Sequence, residues 1–114
     1  MQIFKILLPQ EWRELQRDRQ TAGAPIDVKD GYIHFSTAAQ LRETAEKHFT
    51  GEKEIFVLAC DTDQMDGPLK WEVSRGGDLF PHLYGQLDVR YVLWYEAVTL
   101  KDGWHHFSDR IPRT

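Results

Sequence analysis

The 114-residue chain holds a single cysteine, Cys60. An internal disulfide is therefore excluded, and so are the thiolate-rich zinc clusters. Cys60 ends the apolar run IFVLAC and is read as an inert core thiol. No apolar run approaches the ~20 residues of a membrane-spanning helix. The opening MQIFKILLPQEW lacks a long apolar region followed by a small-residue cleavage site. No signal peptide is read there, and a cytoplasmic protein, bacterial in style, is expected. Positive charge is also short: Lys plus Arg is 14 against 18 Asp plus Glu, a formal net charge of −4. A broad grip on duplex nucleic acid wants a basic face, so that class is excluded, while a small local anion site stays open. Repeats, low-complexity tracts and linkers are absent. With 41% hydrophobic and 28% charged residues, the composition suits one globular domain spanning residues 1–114.

The patterning that is present alternates strand and helix at first. Ile3 to Leu7 reads as a strand. Pro9 suits a first helical turn, and Leu8, Trp12 and Leu15 recur at helical spacing, so a helix is expected from Pro9 to about Arg19. TAGAPIDVKDG reads as a loop by its Gly, Pro and Asp content. Tyr32 to Phe35 is a short strand. A second helix opens at Thr37, which with Gln40 has capping-box spacing, and Ala38, Leu41, Ala45 and Phe49 form its apolar stripe up to Gly51. Glu54 to Cys60, Leu69 to Val73 and Tyr91 to Leu100 read as strands, with a turn at DTDQMDGP and a long Gly-rich loop at SRGGDLFPHLYG. The tail from Lys101 adds a turn and a short strand. This order predicts an α+β fold with a curved or split antiparallel sheet. A monomer is expected, or a weak dimer if the YVLWYEAVTL strand lies at a sheet edge.

Two segments carry candidate chemistry. In DGYIHFST, alternation places Tyr32, His34 and Ser36 on one side of a strand and Ile33 and Phe35 on the other. With Ile33 and Phe35 in the core, His34 faces a cleft or solvent; the competing reading is a structural histidine bonded within the fold. Ser36 and Thr37 then stand at a helix start, where unpaired N–H groups attract anions, although plain capping also accounts for Thr37. In WEVSRGGDLFPHLYG, Trp71, Phe80 and Tyr84 lie beside Glu72, Arg75 and His82. Gly76 and Gly77 allow a tight turn or a close approach to a ligand. A guanidinium at Arg75 suits bidentate contact with phosphate or carboxylate, and an exposed pairing with Glu72 is the alternative. The aromatic residues equally fit a satellite core under a long loop. No metal is expected: His34, His82 and an acid lack ligand spacing, and the adjacent His105 and His106 point to opposite sides of a strand. The phosphate-binding GxxxxGK motif, the GxGxxG fingerprint and the nucleophile elbow are all missing.

At the same two segments, and from IFKI through YVLWYEAV, the chain resembles the bacterial domain of unknown function family 952. That resemblance implies a fold like that of the ADP-ribosyltransferases and the RNA 2′-phosphotransferases, with two small antiparallel sheets around a cleft and about two helices. It implies binding of NAD or a related nucleotide. His34 with Ser36 and Thr37 resembles the first motif of that superfamily. Tyr84 is the candidate for stacking on nicotinamide, and Glu72 or Glu96 for the late glutamate, though neither sits in a matching late motif. The readings that follow are an ADP-ribosyltransferase-like nucleotide-binding domain, a non-catalytic small-ligand or partner-binding module on the same fold, and an RNA 2′-phosphotransferase-like enzyme. The acidic balance disfavours the last.

Overall fold

The computed structural model describes residues 1–113, with the backbone alone at Arg75. The elements in chain order are β1 (Gln2–Leu7), α1 (Pro9–Asp18), β2 (Gln20–Thr21), α2 (Pro25–Asp30), β3 (Ile33–His34), α3 (Ala38–His48), β4 (Glu54–Asp61), β5 (Leu69–Val73), β6 (Leu79–Leu83), β7 (Leu87–Asp88), β8 (Val92–Lys101) and β9 (Trp104–His105). The class is α+β, with antiparallel strands throughout. Four strands form the main sheet in the order β1-β4-β8-β9, three form a small sheet β3-β6-β5, and β2 pairs with β7. The main and small sheets are joined at one point. Phe4 and Ser36 exchange both main-chain hydrogen bonds at 2.8 Å, so the chain just after β3 lies along the free edge of β1.

Strand β1 is apolar on both sides because both are covered. Ile3 and Leu7 join Trp12 and Leu15 of α1, and Ile33, Phe35 and Leu83 of the small sheet, in one core. Phe4 and Ile6 join Leu41 and Ala45 of α3, Val57 and Ala59 of β4, and Ile111 of the tail in a second. Lys5 shares the parity of Ile3 and Leu7 and is buried with them. Helix α3 starts as its sequence requires: Thr37 N–H donates to Gln40 Oε1 at 3.0 Å, and Gln40 N–H donates to Thr37 Oγ1 at 3.3 Å. Among the described residues no helix is long and apolar enough to cross a membrane.

Two segments expected as loops are structured. TAGAPIDVKDG begins on the last residue of β2 and holds α2. Its Pro and Gly mark the two ends of a helix: Pro25 is the first helical residue, and Gly31 closes the helix at φ 85°. Among the described residues there are thus three α-helices, where about two were expected. SRGGDLFPHLYG is a tight turn at Arg75–Gly77 followed by β6, the central strand of the small sheet. Pro81 is tolerated in that central strand with no N–H to offer. Its carbonyl accepts from Phe35 N–H at 2.9 Å. The small sheet and the β2–β7 ribbon stand beside the four-stranded sheet, where two small sheets were expected.

Candidate functional site

His34 is held from three sides. Its main-chain N–H donates to Asp27 Oδ1 at 2.9 Å, and its carbonyl accepts from Lys5 Nζ at 3.1 Å. Its ring Nδ1 lies 2.6 Å from Asp27 Oδ1 and its Nε2 lies 3.0 Å from Asp30 Oδ2. Two carboxylates accept from both ring nitrogens together only when both carry hydrogen. Asp27 is 1% exposed. Its other oxygen accepts from Lys5 Nζ at 2.8 Å and from Ala24 N–H at 2.7 Å. Burial pushes the Asp27 carboxyl up, but the His34 hydrogen bond and the Lys5 ammonium outweigh it and hold the group at about 2. Gly23 makes room for this carboxylate: a Cβ there would stand 2.4 Å from Asp27 Oδ2, and its φ of +103° suits glycine.

The neighbouring strand carries a second histidine–carboxylate pair. His82 is the register partner of His34 across β3–β6 and of Lys70 across β5–β6. Its Nδ1 lies 2.9 Å from Glu72 Oε1, which also accepts from Tyr84 Oη at 2.7 Å. These bonds, that from Tyr84 first, hold the Glu72 carboxyl below its ordinary value, and the same bond pushes the Tyr84 phenol up to about 12. The Lys70 ammonium sits 4.6 Å from the centre of the Tyr84 ring. Tyr32 ties the two pairs together, with its ring 4.2 Å from His82, 4.7 Å from His34 and 5.1 Å from Tyr84. Its phenol is pushed up by burial and by Asp30 and Glu72. The two imidazoles are 5.2 Å apart. His82 is 2% exposed, and its Nε2 has no hydrogen-bond partner among the described residues. A buried polar atom left so costs about 1–3 kcal/mol.

A hollow of about 660 Å³ opens beside the histidines, between β1, the start of α2 and the end of α3. His34, Ser36, Phe80 and His82 line it, with Asp30 and Ser74. His34, Glu72, His82 and Tyr84 are thus brought into one cluster, and Ser36 and Phe80 share the hollow with its two histidines. The Ser36 hydroxyl is 2.9 Å from that of Thr44, and Thr37 is spent on the helix cap. Trp71 lies on the opposite face of β5 from Glu72 and is 40% exposed. Gly76 and Gly77 take φ of 71° and 82° in the hairpin turn, and no atom stands within 4 Å of a Cβ built on either. The turn accounts for both glycines, and no protein atom approaches them closely. The Arg75 side chain lies outside the described residues. Glu96 is elsewhere, accepting from the Ser108 hydroxyl and N–H of the tail. Among the described residues, no group of three or more His, Cys, Asp or Glu could hold a metal ion.

Lys5, Asp27, Asp30 and Tyr32 belong to this cluster and were not among the candidates. The lysine inside the apolar run IFKIL was the available signal for Lys5, since a charge there demands a buried partner. For Asp27, the signal was its place three residues after Ala24, ahead of which Gly23 and Pro25 frame a helix start.

The molecule is therefore an α+β domain with two histidine–carboxylate pairs on adjacent strands of a small sheet. The family model described as "Protein of unknown function (DUF952)" matches residues 6–95, and the chain belongs to that family. The matched stretch contains both histidines and the acids they touch. The chain is also similar to protein CC0527 from Caulobacter crescentus, at 38% identity. Against its X-ray structure the TM-score is 0.91, with 97% of this chain and 98% of that one covered. Against its solution NMR structure the TM-score is 0.80, with 91% and 90% covered. A comparison with curated proteins finds no match.

Proposed function

We propose that this protein is an ADP-ribosyltransferase-like domain that binds NAD or a related nucleotide in the hollow beside His34 and His82. The observation that carries the reading is the placement of two register partners, one from each candidate segment, on the wall of one cavity of about 660 Å³. That volume lies within the usual range of small-ligand sites, about 300–1,000 Å³. The chemistry of the lining suits such a ligand. Phe80 adds apolar surface to the wall, and Asp30 places a carboxylate there, paired with His34 Nε2. His34 and Ser36 offer polar atoms to sugar hydroxyls or a carboxamide. Arg75, in the turn at the edge of the same sheet, is the proposed partner for a pyrophosphate. NAD would supply a nicotinamide–ribose bond whose breaking develops positive charge, and Glu72 is the carboxylate nearest His82 that could oppose it.

The same cluster favours a second reading, a non-catalytic ligand-binding module. Glu72 Oε1 is already bonded to both His82 and Tyr84, and Glu72 does not line the hollow. Calorimetry with NAD and ADP-ribose decides whether the hollow binds a nucleotide. Binding is expected, weakened at least tenfold in His34→Ala and in Arg75→Ala with the fold intact; absence of heat with both ligands refutes it. Nicotinamide release that vanishes in Glu72→Gln would establish cleavage of the nicotinamide–ribose bond and exclude the module; ADP-ribose found on an acceptor, and not free in solution, would make it a transferase. Removal of a 2′-phosphate from a short RNA in the presence of NAD would move the assignment to the phosphotransferases.

A further inference from the structure

We infer that Nε2 of His82 is the acceptor for a hydroxyl of the bound ligand, so that the hollow selects a ligand with a free sugar hydroxyl. The inference rests on the nucleotide-binding reading above and adds to it the group that is recognised. The argument begins at Glu72. Its Oε1 takes the Tyr84 hydroxyl and faces Nδ1 of His82 at 2.9 Å. Glu72 is held in its ionised form by those two bonds, so it accepts and does not donate. The hydrogen of the His82–Glu72 bond therefore sits on Nδ1.

Nε2 is left with two forms. A second hydrogen there would make a buried imidazolium with one half unpaired, the costlier arrangement. The neutral ring keeps a lone pair on Nε2, an acceptor that lacks a donor. Nε2 is the one buried side-chain nitrogen or oxygen without a partner among the described residues. The ring lines the hollow while the atom itself is screened from bulk water, so the inferred bond requires that a ligand filling the hollow displace part of its wall to bring a donor to Nε2. Three kinds of group on such a nucleotide could donate: a ribose hydroxyl, the carboxamide N–H and the adenine amino group. The surroundings favour the hydroxyl. The His34 ring is 5.2 Å away and turns a donating Nε2 toward Asp30, whose side chain is 34% exposed and replaceable by a ligand oxygen. A hydroxyl donates and accepts through a single oxygen, which suits two rings 5.2 Å apart, whereas a carboxamide or an amino-purine edge needs two separate atoms to do both.

The test has two parts. In ¹⁵N-labelled free protein, long-range proton–nitrogen spectra are expected to show His82 protonated at Nδ1 and bare at Nε2; the reverse tautomer overturns the inference without any ligand. Calorimetry then compares NAD, adenosine, 2′-deoxyadenosine, 3′-deoxyadenosine and nicotinamide. At least a tenfold loss is expected for one of the two deoxynucleosides. That difference should disappear in His82→Phe, and His82→Gln, which keeps an acceptor, should recover part of it if the phenylalanine variant fails to fold. Equal affinity for adenosine and both deoxynucleosides removes the hydroxyl and leaves the nucleotide reading standing. Nicotinamide binding that His82→Phe abolishes, with the nucleosides equal, gives the nitrogen to the amide instead. If neither NAD nor any nucleoside binds, the nucleotide reading falls and the hydroxyl with it.

Discussion

Asp27 holds His34 by both main chain and ring, through N–H at 2.9 Å and Nδ1 at 2.6 Å on the same carboxylate oxygen. The other oxygen neutralises Lys5, which returns to the His34 carbonyl. Position 34 is thus fixed by a buried ionic network that spans β1, α2 and β3. Removing one member leaves a buried charge without its partner, which is costlier than removing both. Asp27→Asn is expected to destabilise the protein by about 3–5 kcal/mol, read from the urea midpoint. Adding Lys5→Met to Asp27→Asn should restore part of that loss. If the two losses simply add, the pair is not coupled.

The same carboxylate sets an acid limit. The Asp27 group titrates at about 2 in the folded protein against an ordinary value of 3.8. A folded value below the unfolded one means that the contribution is complete above pH 3.8 and is lost as pH falls toward 2. The difference corresponds to about 2 kcal/mol. Urea titrations between pH 6 and pH 2 should show that decline in the wild type. Asp27→Asn should lack this component; a parallel decline in the variant would place the effect elsewhere.

Thr37 separates capping from binding. Its hydroxyl is committed to Gln40 N–H, and it does not line the hollow. Thr37→Ala is expected to cost about 1 kcal/mol of stability, as the loss of a helix cap does. Nucleotide affinity should stay unchanged. A Thr37→Ala variant of full stability and weakened affinity would reverse this assignment.

Cys60 is a core thiol that burial pushes up to about 12. The thiolate is the reactive form, so modification by a thiol reagent at pH 8 should be slow in the folded protein and fast in urea. The rate in native buffer should follow unfolding and rise in Asp27→Asn. Rapid labelling of the fully folded wild type would contradict the burial.

How much of this was legible depends on where each signal lay. The face of His34 could be read because Ile33 and Phe35 flank it, and both are buried as the alternation requires. The Thr37–Gln40 cap could be read because its partners are three residues apart. Helix α2 could not: six residues hold too little periodicity, and its bounding Pro25 and Gly31 serve loops equally well. Strand β6 was hidden by Pro81, which normally argues against a central strand. Asp27 lies in a polar segment, and its partner Lys5 is 22 residues away. They meet only because residue 36 joins the edge of β1, a long-range pairing with no local mark. His82 was a candidate from its neighbours alone; that it faces His34 depends on strand register.

Glu72 and Tyr84 offer a final check on the second pair. One hydrogen bond lowers the Glu72 carboxyl and raises the Tyr84 phenol to about 12. Each partner's titration must therefore report the loss of the other. In Tyr84→Phe the Glu72 carboxyl keeps only its His82 bond and should titrate higher, followed by carboxyl carbon NMR. In Glu72→Gln the phenol no longer donates to a charged acceptor, so its ionisation should fall from about 12 toward 10, read as phenolate absorbance against a Tyr84→Phe background. Movement of both establishes the bond in solution, and with it the acceptor that orients the His82 ring. If neither moves, Tyr84 does not bond Glu72, and the carboxylate that faces the His82 ring loses one of the two contacts that place it.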